Sequence, residues 1–588
     1  MKMYVPYKQI NSIAICVAVW FLTACGGGGG TSTTTTPTST TNLSVSVDRN
    51  ITINNAVQIE PLGKASIRVD VNITNGPKDL YILLSNYDTV VATAPQIAHN
   101  PKIAVSQAPK NLRTSVVPAH ANIIHAPAEV EAFRQNIRKI LVKANNTTLK
   151  QAKILNVTTV KQEVVVGATN NFQLNATAGL TTAATARKVV SNIVTVFGSK
   201  TLNIWVSDDS FDAGFGCQKT NCVTQAMVDI FANKFLTAGA NNDIYDWVTN
   251  IFGEEWNVNA RTQYTNLIPY DGNITILLTD IQNDNSTNGG VLGYFYGKDN
   301  FTTSTYSGSN QRIMFYMDSV LFATPDAGAP WAITHFWPAE MISTLAHEFQ
   351  HMIHFYQKQV NFGVQSQTWL NEMLSETTED VVATKLQLNG PRNVVYTNGT
   401  AGGINTGGRY PLFNQYNSLT LPASTGSLDS NGNPTFSLAD YSKVSAFGTF
   451  LTRNYGGSKV LHDIVYNNLT GTDAVTQAIQ LSPQGAGKTF NNMLTEWGEA
   501  VFLSDRTNLV NMPTYNTGAF TPDIYNGVQY DLGSINFFNY LPSVTINTTS
   551  GTVNPQGNYY YKVGTGLNGL VQIEVLLNGT TEATLIAK

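Results

Sequence analysis

The sequence predicts an α+β protein, and three patterns carry that prediction. Ile342, Leu345, Ala346, Phe349, Met352, Ile353 and Tyr356 recur at 3.6-residue spacing, the signature of a helix with a core-facing stripe. Short apolar runs such as Ala65-Ser-Ile-Arg-Val-Asp-Val-Asn-Ile73, Leu80-Tyr-Ile-Leu-Leu84 and Leu570-Val-Gln-Ile-Glu-Val-Leu-Leu577 write strands towards both ends of the chain. From about residue 150 strand-like and helix-like stretches are mixed, with Leu202-Asn-Ile-Trp-Val206, Ile274-Thr-Ile-Leu-Leu278 and Arg312-Ile-Met-Phe-Tyr-Met317 as buried strands.

Taken in order, residues 1–24 are a targeting segment. Lys2 and Lys8 precede an apolar run from Ile10 to Phe21, too short to span a bilayer comfortably, and no later stretch reaches the roughly 20 apolar residues a span needs. Leu22-Thr-Ala-Cys25 resembles the lipobox of bacterial lipoproteins. That resemblance implies Cys25 as a lipid-modified first residue and a chain held at the cell envelope, with the outer membrane or cell surface favoured because Gly26 replaces the aspartate of inner-membrane retention. A secreted protein cut after Ala24 is the competing reading. The Gly- and Thr-rich residues 25–42 form a flexible tether. Residues 43–92 read as a small β-sandwich, residues 93–149 as a Pro/Ala-rich linker with a short helix over 128–144, residues 150–505 as the main domain, and residues 506–588 as a terminal β-module.

Only 13% of the 588 residues are charged and the net charge is −4, too little to predict a nucleic-acid partner. Two of the four cysteines lie in the targeting region. Cys217 and Cys222, in an exported chain, are expected to close a small disulfide loop. Asp280-Ile-Gln-Asn-Asp284 and Asp429-Ser-Asn-Gly-Asn433 offer oxygen ligands of the kind that hold Ca2+; neither completes a calcium loop, and a Ca2+ site at each stands as the alternative to an ordinary Asx-rich turn.

The chemistry concentrates at His347-Glu348-Phe349-Gln350-His351. Two histidines four apart on a helix share a face, so both imidazoles reach one metal, and Glu348 sits beside them as a base for a metal-acidified water. Glu372, in Thr368-Trp-Leu-Asn-Glu-Met-Leu-Ser-Glu376, follows on a second helix and completes a two-His, one-Glu zinc site. Here the chain resembles the gluzincin metallopeptidases, whose third ligand is such a glutamate. With its flanks, His347-Glu-Phe-Gln-His-Met-Ile-His354 and Trp-Leu-Asn-Glu-Met-Leu-Ser-Glu376, it looks most like the hyicolysin family of bacterial metalloendopeptidases.

The resemblance implies a gluzincin-like plan, with a sheet-bearing subdomain supplying the zinc helix and a helical subdomain closing the cleft. It implies Glu376 as a carboxylate that orients a zinc histidine, with Glu379 and Asp380 as solvated groups. It also implies Tyr441, which opens a helix after the zinc glutamate, as the donor to a developing oxyanion, with Tyr410 and Tyr416 as rivals. His354 is expected beside the site or at the surface, and His335 and His462 as structural. The edge that holds an extended peptide is expected around Gly289–Tyr294. The expected partner is a protein or peptide substrate, cleaved internally because no amino-terminus-binding strand is evident. An aminopeptidase and a lipoprotein adhesin built on a protease core are the alternatives, and the sequence sets no oligomeric state.

Overall fold

The computed structural model describes residues 47–88, 92, 95–99, 123–124, 126–143, 163–212, 216–389, 392–404, 408–418, 420–421, 436–577 and 579–588. Cys25 and the Asp429–Asn433 loop lie outside them.

Four strands come first: β1 (Val47–Ile53), β2 (Gln58–Gly63), β3 (Ile67–Asn86) and β4 (Gln96–His99). A two-residue strand β5 (Ile123–Ile124) precedes the short helices α1 (Ala128–Arg134) and α2 (Ile137–Ile140). Next come β6 (Thr169–Gln173), β7 (Thr181–Thr195) and β8 (Gly198–Ser207), then α3 (Gln225–Phe235), α4 (Ile244–Phe252) and α5 (Asn259–Gln263). The strands β9 (Asn273–Thr279), β10 (Gly290–Val291), β11 (Gly293–Tyr294) and β12 (Met314–Asp318) lead through α6 (Ser319–Phe322) to the long helices α7 (Phe336–His354) and α8 (Thr368–Leu386). The helical part continues with α9 (Arg409–Gln415), α10 (Leu438–Asn454), α11 (Ser458–Val465), α12 (Gly471–Gln480) and α13 (Phe490–Phe502). A hairpin, β13 (Thr521–Tyr525) and β14 (Val528–Leu532), precedes β15 (Asn558–Leu576) and β16 (Thr581–Ala587).

The two terminal β regions, expected as separate modules, combine. β15 and β16 both pair antiparallel with β3, giving one six-stranded sheet of order β2-β16-β3-β15-β4 with β1 parallel to β3. The alternation that suggested an independent sandwich is real in Ile67, Val69, Val71 and Ile73, which are buried between exposed neighbours. What finishes the sheet is a partner almost five hundred residues away, which local periodicity does not encode. In the second half of β3 burial is unbroken because both faces are covered. Leu80, Ile82 and Leu84 join the sheet's own apolar layer, while Tyr81 and Leu83 join the main core, with the Tyr81 ring 4.6 Å from that of Phe502 on α13. β4 draws part of the expected linker into the same sheet.

The central sheet runs β11-β12-β9-β8-β7-β6, and its middle strands β8, β9 and β12 are parallel. Their apolar runs are buried on both faces, as parallel strands require. β11 is the edge strand, antiparallel to β12, and just before it β10 pairs in parallel with β5, so the expected Gly289–Tyr294 segment does form an edge. Helix α7 packs beside this edge, with the Phe349 ring 5.3 Å from Tyr245 and 5.1 Å from Phe235. Helix α8 lies between α7 and α10. No helix among the described residues is long and apolar enough to cross a membrane.

Candidate metal centre

Helix α7 is buried nearly throughout: Leu345, Phe349, Met352 and Ile353 fix its apolar side, so His347, Glu348 and His351 are held without freedom to turn to solvent. Helix α8 brings Glu372 to the same point. His347 Nε2 and His351 Nε2 are 3.1 Å apart, and Glu372 Oε2 lies 3.3 Å from each. Three ligands about 2.0–2.1 Å from a tetrahedral zinc are separated by about 3.3 Å, so the donor triangle has the size the ion requires. The far sides of both imidazoles are tied down as well. His347 Nδ1 hydrogen-bonds Glu379 Oε1 at 2.8 Å, and His351 Nδ1 faces Asn371 Oδ1 at 3.1 Å and Ser375 Oγ at 3.0 Å. Since Ser375 donates its own proton to Gln350 Oε1, the network assigns N–H to Nδ1 and leaves the Nε2 lone pairs for a metal.

Glu348 faces the triangle from the edge-strand side. Its Oε2 accepts the Phe295 backbone N–H at 2.7 Å, while Oε1 is buried without a hydrogen-bond partner among the described residues. Gly293 makes this approach feasible, because a methyl there would meet Met317 Sδ at 2.8 Å, Tyr316 O at 2.9 Å and Glu348 Cγ at 3.3 Å. Burial pushes the Glu348 carboxyl up to about 7, against the opposing pull of His347 and Arg134. That is the range of a base working near neutrality. Burial also disfavours charge on Glu372, but the two histidines and Arg134 outweigh it and hold that carboxylate well below the usual range. Burial lowers both imidazoles; hydrogen bonds donated to Glu372 and Glu379 reverse this at His347, raising it to about 10, so a metal binding there displaces the Nε2 proton, whereas Arg134 drives His351 further down, to about 4.

Several expected roles move. His347 Nδ1 hydrogen-bonds Glu379, which was expected to be solvated, and Glu379 is further held by Ser343 Oγ at 2.6 Å. Glu376, expected to orient a histidine, holds Arg409, whose Nε and Nη2 both lie at 3.1 Å, and its carboxylate lies within 4.8 Å of the His347 and Glu379 ligand atoms. Asp380 is buried between Arg453 at 2.7 Å and Arg392 at 2.9 Å, not solvated. His354 is buried on Ser366, 2.7 Å away, rather than at the surface. His335 and His462 are structural: each engages a backbone group, Asp326 N and Ile251 O respectively.

Tyr441 sits in the first turn of α10, whose start is fixed by Ser437 and Asp440 in a reciprocal cap. Its ring lies under the Arg409 guanidinium at 4.9 Å and edge-on to Phe436. Burial, then the negative fields of Glu372 and Glu131, raise its phenol well above the ordinary value, so the hydroxyl stays protonated. The rivals point elsewhere: Tyr410 hydrogen-bonds Thr449 at 3.2 Å, and Tyr416 is exposed. Cys217 and Cys222 form a disulfide. At the first proposed calcium loop, Lys219 Nζ lies 2.8 Å from Asp280, supplying the cation from within the chain.

Arg134 has no precursor in the sequence reading. From the end of α1 its Nη1 reaches Glu372 Oε1 at 2.8 Å and His351 Nε2 at 3.4 Å, and its Nη2 lies 3.3 Å from Phe295 O and 3.6 Å from Glu348 Oε2. No motif announces such a residue. Glu379 was findable, since seven residues after Glu372 is two turns along the same helical face.

The family model described as Peptidase M30 matches residues 182–536, more than half of the chain and inclusive of the whole His347–Glu379 cluster. Neutral metalloprotease ShpI of Staphylococcus hyicus is 27% identical over 192 residues, or 32% of this chain and 36% of that protein. The matched region thus spans about a third of that relative's length.

Proposed function

Because the chain belongs to the Peptidase M30 family, we propose that it is a zinc-dependent endopeptidase in which His347, His351 and Glu372 hold the metal and Glu348 is the base. The observation that carries this is the donor triangle of 3.1, 3.3 and 3.3 Å with a buried carboxylate beside it. A bound Zn2+ supplies Lewis acidity towards a carbonyl and makes a water easier to deprotonate. Glu348 Oε1, left unengaged while Oε2 is fixed by Phe295 N–H, takes the proton of the attacking water and returns it to the leaving amine. Tyr441, kept protonated by its surroundings, donates to the oxygen on which negative charge develops. The edge at β10 and β11 lends backbone groups to an extended substrate. We extend the reading to location: Cys25 carries a lipid that anchors the enzyme at the bacterial envelope, with the outer membrane or cell surface as the favoured site.

The test combines metal analysis with digestion of an unstructured protein such as casein. One zinc per chain is expected, together with internal cleavage that chelation removes and zinc restores. Glu348→Gln should retain the zinc and lose about 10²–10⁴-fold in rate. Undiminished cleavage by Glu348→Gln would refute the assigned base, and equal cleavage of amino-blocked and free peptides separates an endopeptidase from an aminopeptidase.

A further inference from the structure

The space beside the donor triangle, where a substrate would have to enter, is filled by another part of the same chain. β5, α1 and α2 all precede the family-matched region, yet their partners lie within it. β5 runs parallel to β10 with Ile123 opposite Gly290 and Ile124 opposite Val291, so it takes the backbone edge that an extended substrate would use. Helix α1 then enters the cleft and ends at Arg134. One guanidinium lies within 2.8 Å of the ligand Glu372 and 3.6 Å of the base Glu348, so it bridges the gap in which a water and a scissile carbonyl must meet.

The segment is anchored on both sides of that arginine. Val130 and Ile137 are 1% exposed, and the Phe133 ring packs against Tyr296, Phe301 and Tyr306 at 5.1–6.1 Å. Gln365 Nε2 donates to Arg134 O at 2.8 Å, Thr368 donates to Glu131, and Arg138 Nη1 donates to Tyr264 at 2.7 Å and Gln359 O at 3.0 Å. The backbone reaching the centre is helical. A side chain, not an extended peptide bond, therefore faces Glu348.

We propose that β5, α1 and α2 form an intramolecular inhibitor of the peptidase cleft, with the Arg134 guanidinium as the blocking group; this rests on the peptidase reading above. The intact chain therefore turns over slowly, because a peptide entering the cleft must displace this segment.

The test uses the full chain loaded with zinc, as wild type, Arg134→Gln and Arg138→Ala. The second variant loosens the segment outside the metal cluster and serves if the first fails to fold. The probe is a peptidyl hydroxamate, and the readouts are its affinity by calorimetry, amide exchange across residues 126–143, and kcat/KM on a quenched peptide. Arg134→Gln should bind the probe at least tenfold tighter and turn over at least tenfold faster, with Arg138→Ala intermediate. Adding the probe to wild type should speed exchange in residues 126–143. Affinity within twofold of wild type in the folded variants, with exchange unchanged, overturns the proposal and makes the segment a fixed wall of the cleft. Tighter binding in the variants with no Glu348-dependent hydrolysis in any of them supports the inhibitor and refutes the peptidase reading.

Discussion

At His347 the orientation of the ring is set by Glu379, which meets Nδ1 at 2.8 Å and is itself held by Ser343. A carboxylate in that position fixes the tautomer and strengthens the lone pair offered to the metal, so Glu379→Ala should weaken zinc binding by about 10–100-fold. Competition with a chromophoric chelator measures this, and an affinity unchanged within twofold would show the contact to be idle. The convergence of His347, His351 and Glu372 was legible because the histidine spacing is a rule of helix geometry applied to rare residues. The partner of Glu376 was not. Arg409 engages Glu376 from α9, a helix whose placement no local pattern gives. Arg134 was illegible for the same reason, since its meaning comes from where α1 docks.

Between elements, the close approach of α8 and α10 is what holds Glu372 near Tyr441. Gly448 on α10 permits it: a methyl there would overlap Thr377 Oγ1 and come within 3.1 Å of Met373 Cγ, both on α8. Gly448→Ala is therefore expected to cost about 1–3 kcal/mol of stability and to displace α10 from the metal helix. Denaturant unfolding reads the first effect; a wild-type midpoint would show that the two helices part without strain. The sequence announced the long helices and the parallel strands, whose periods are local. It could not show that α1 and α2 belong to the cleft, nor that the apolar run Leu80–Leu84 serves two cores at once.

For the molecule as a whole, pH acts through carboxyls buried far from the metal. Glu499 on α13 is raised to about 8 by burial, with Glu496 and Glu582 adding to the rise and Lys488 opposing it. Its unfolded value is 4.5, so the folded state binds this proton more tightly; the contribution is complete below about pH 4.5 and is lost as pH rises through about 8. Glu499→Gln should flatten that decline and leave the protein more stable than wild type by a few kcal/mol above pH 8, as urea titrations across pH 5–9 would record; parallel wild-type and variant profiles would rule the effect out. The six-stranded sheet adds a constraint of another kind, one of timing. Strand β3 is made early, but β15 and β16, which flank it, come last. Each tenfold increase in separation adds only about 2 kcal/mol of closure entropy, a small cost at equilibrium. During synthesis, however, β3 waits with one edge bare, and the other covered by β1 only along Ile67–Ile73, until nearly the whole chain has emerged. A chain interrupted before Asn558 keeps those edges open, which marks it for capture by chaperones or proteases, so completion of this sheet acts as a checkpoint on the length of the product.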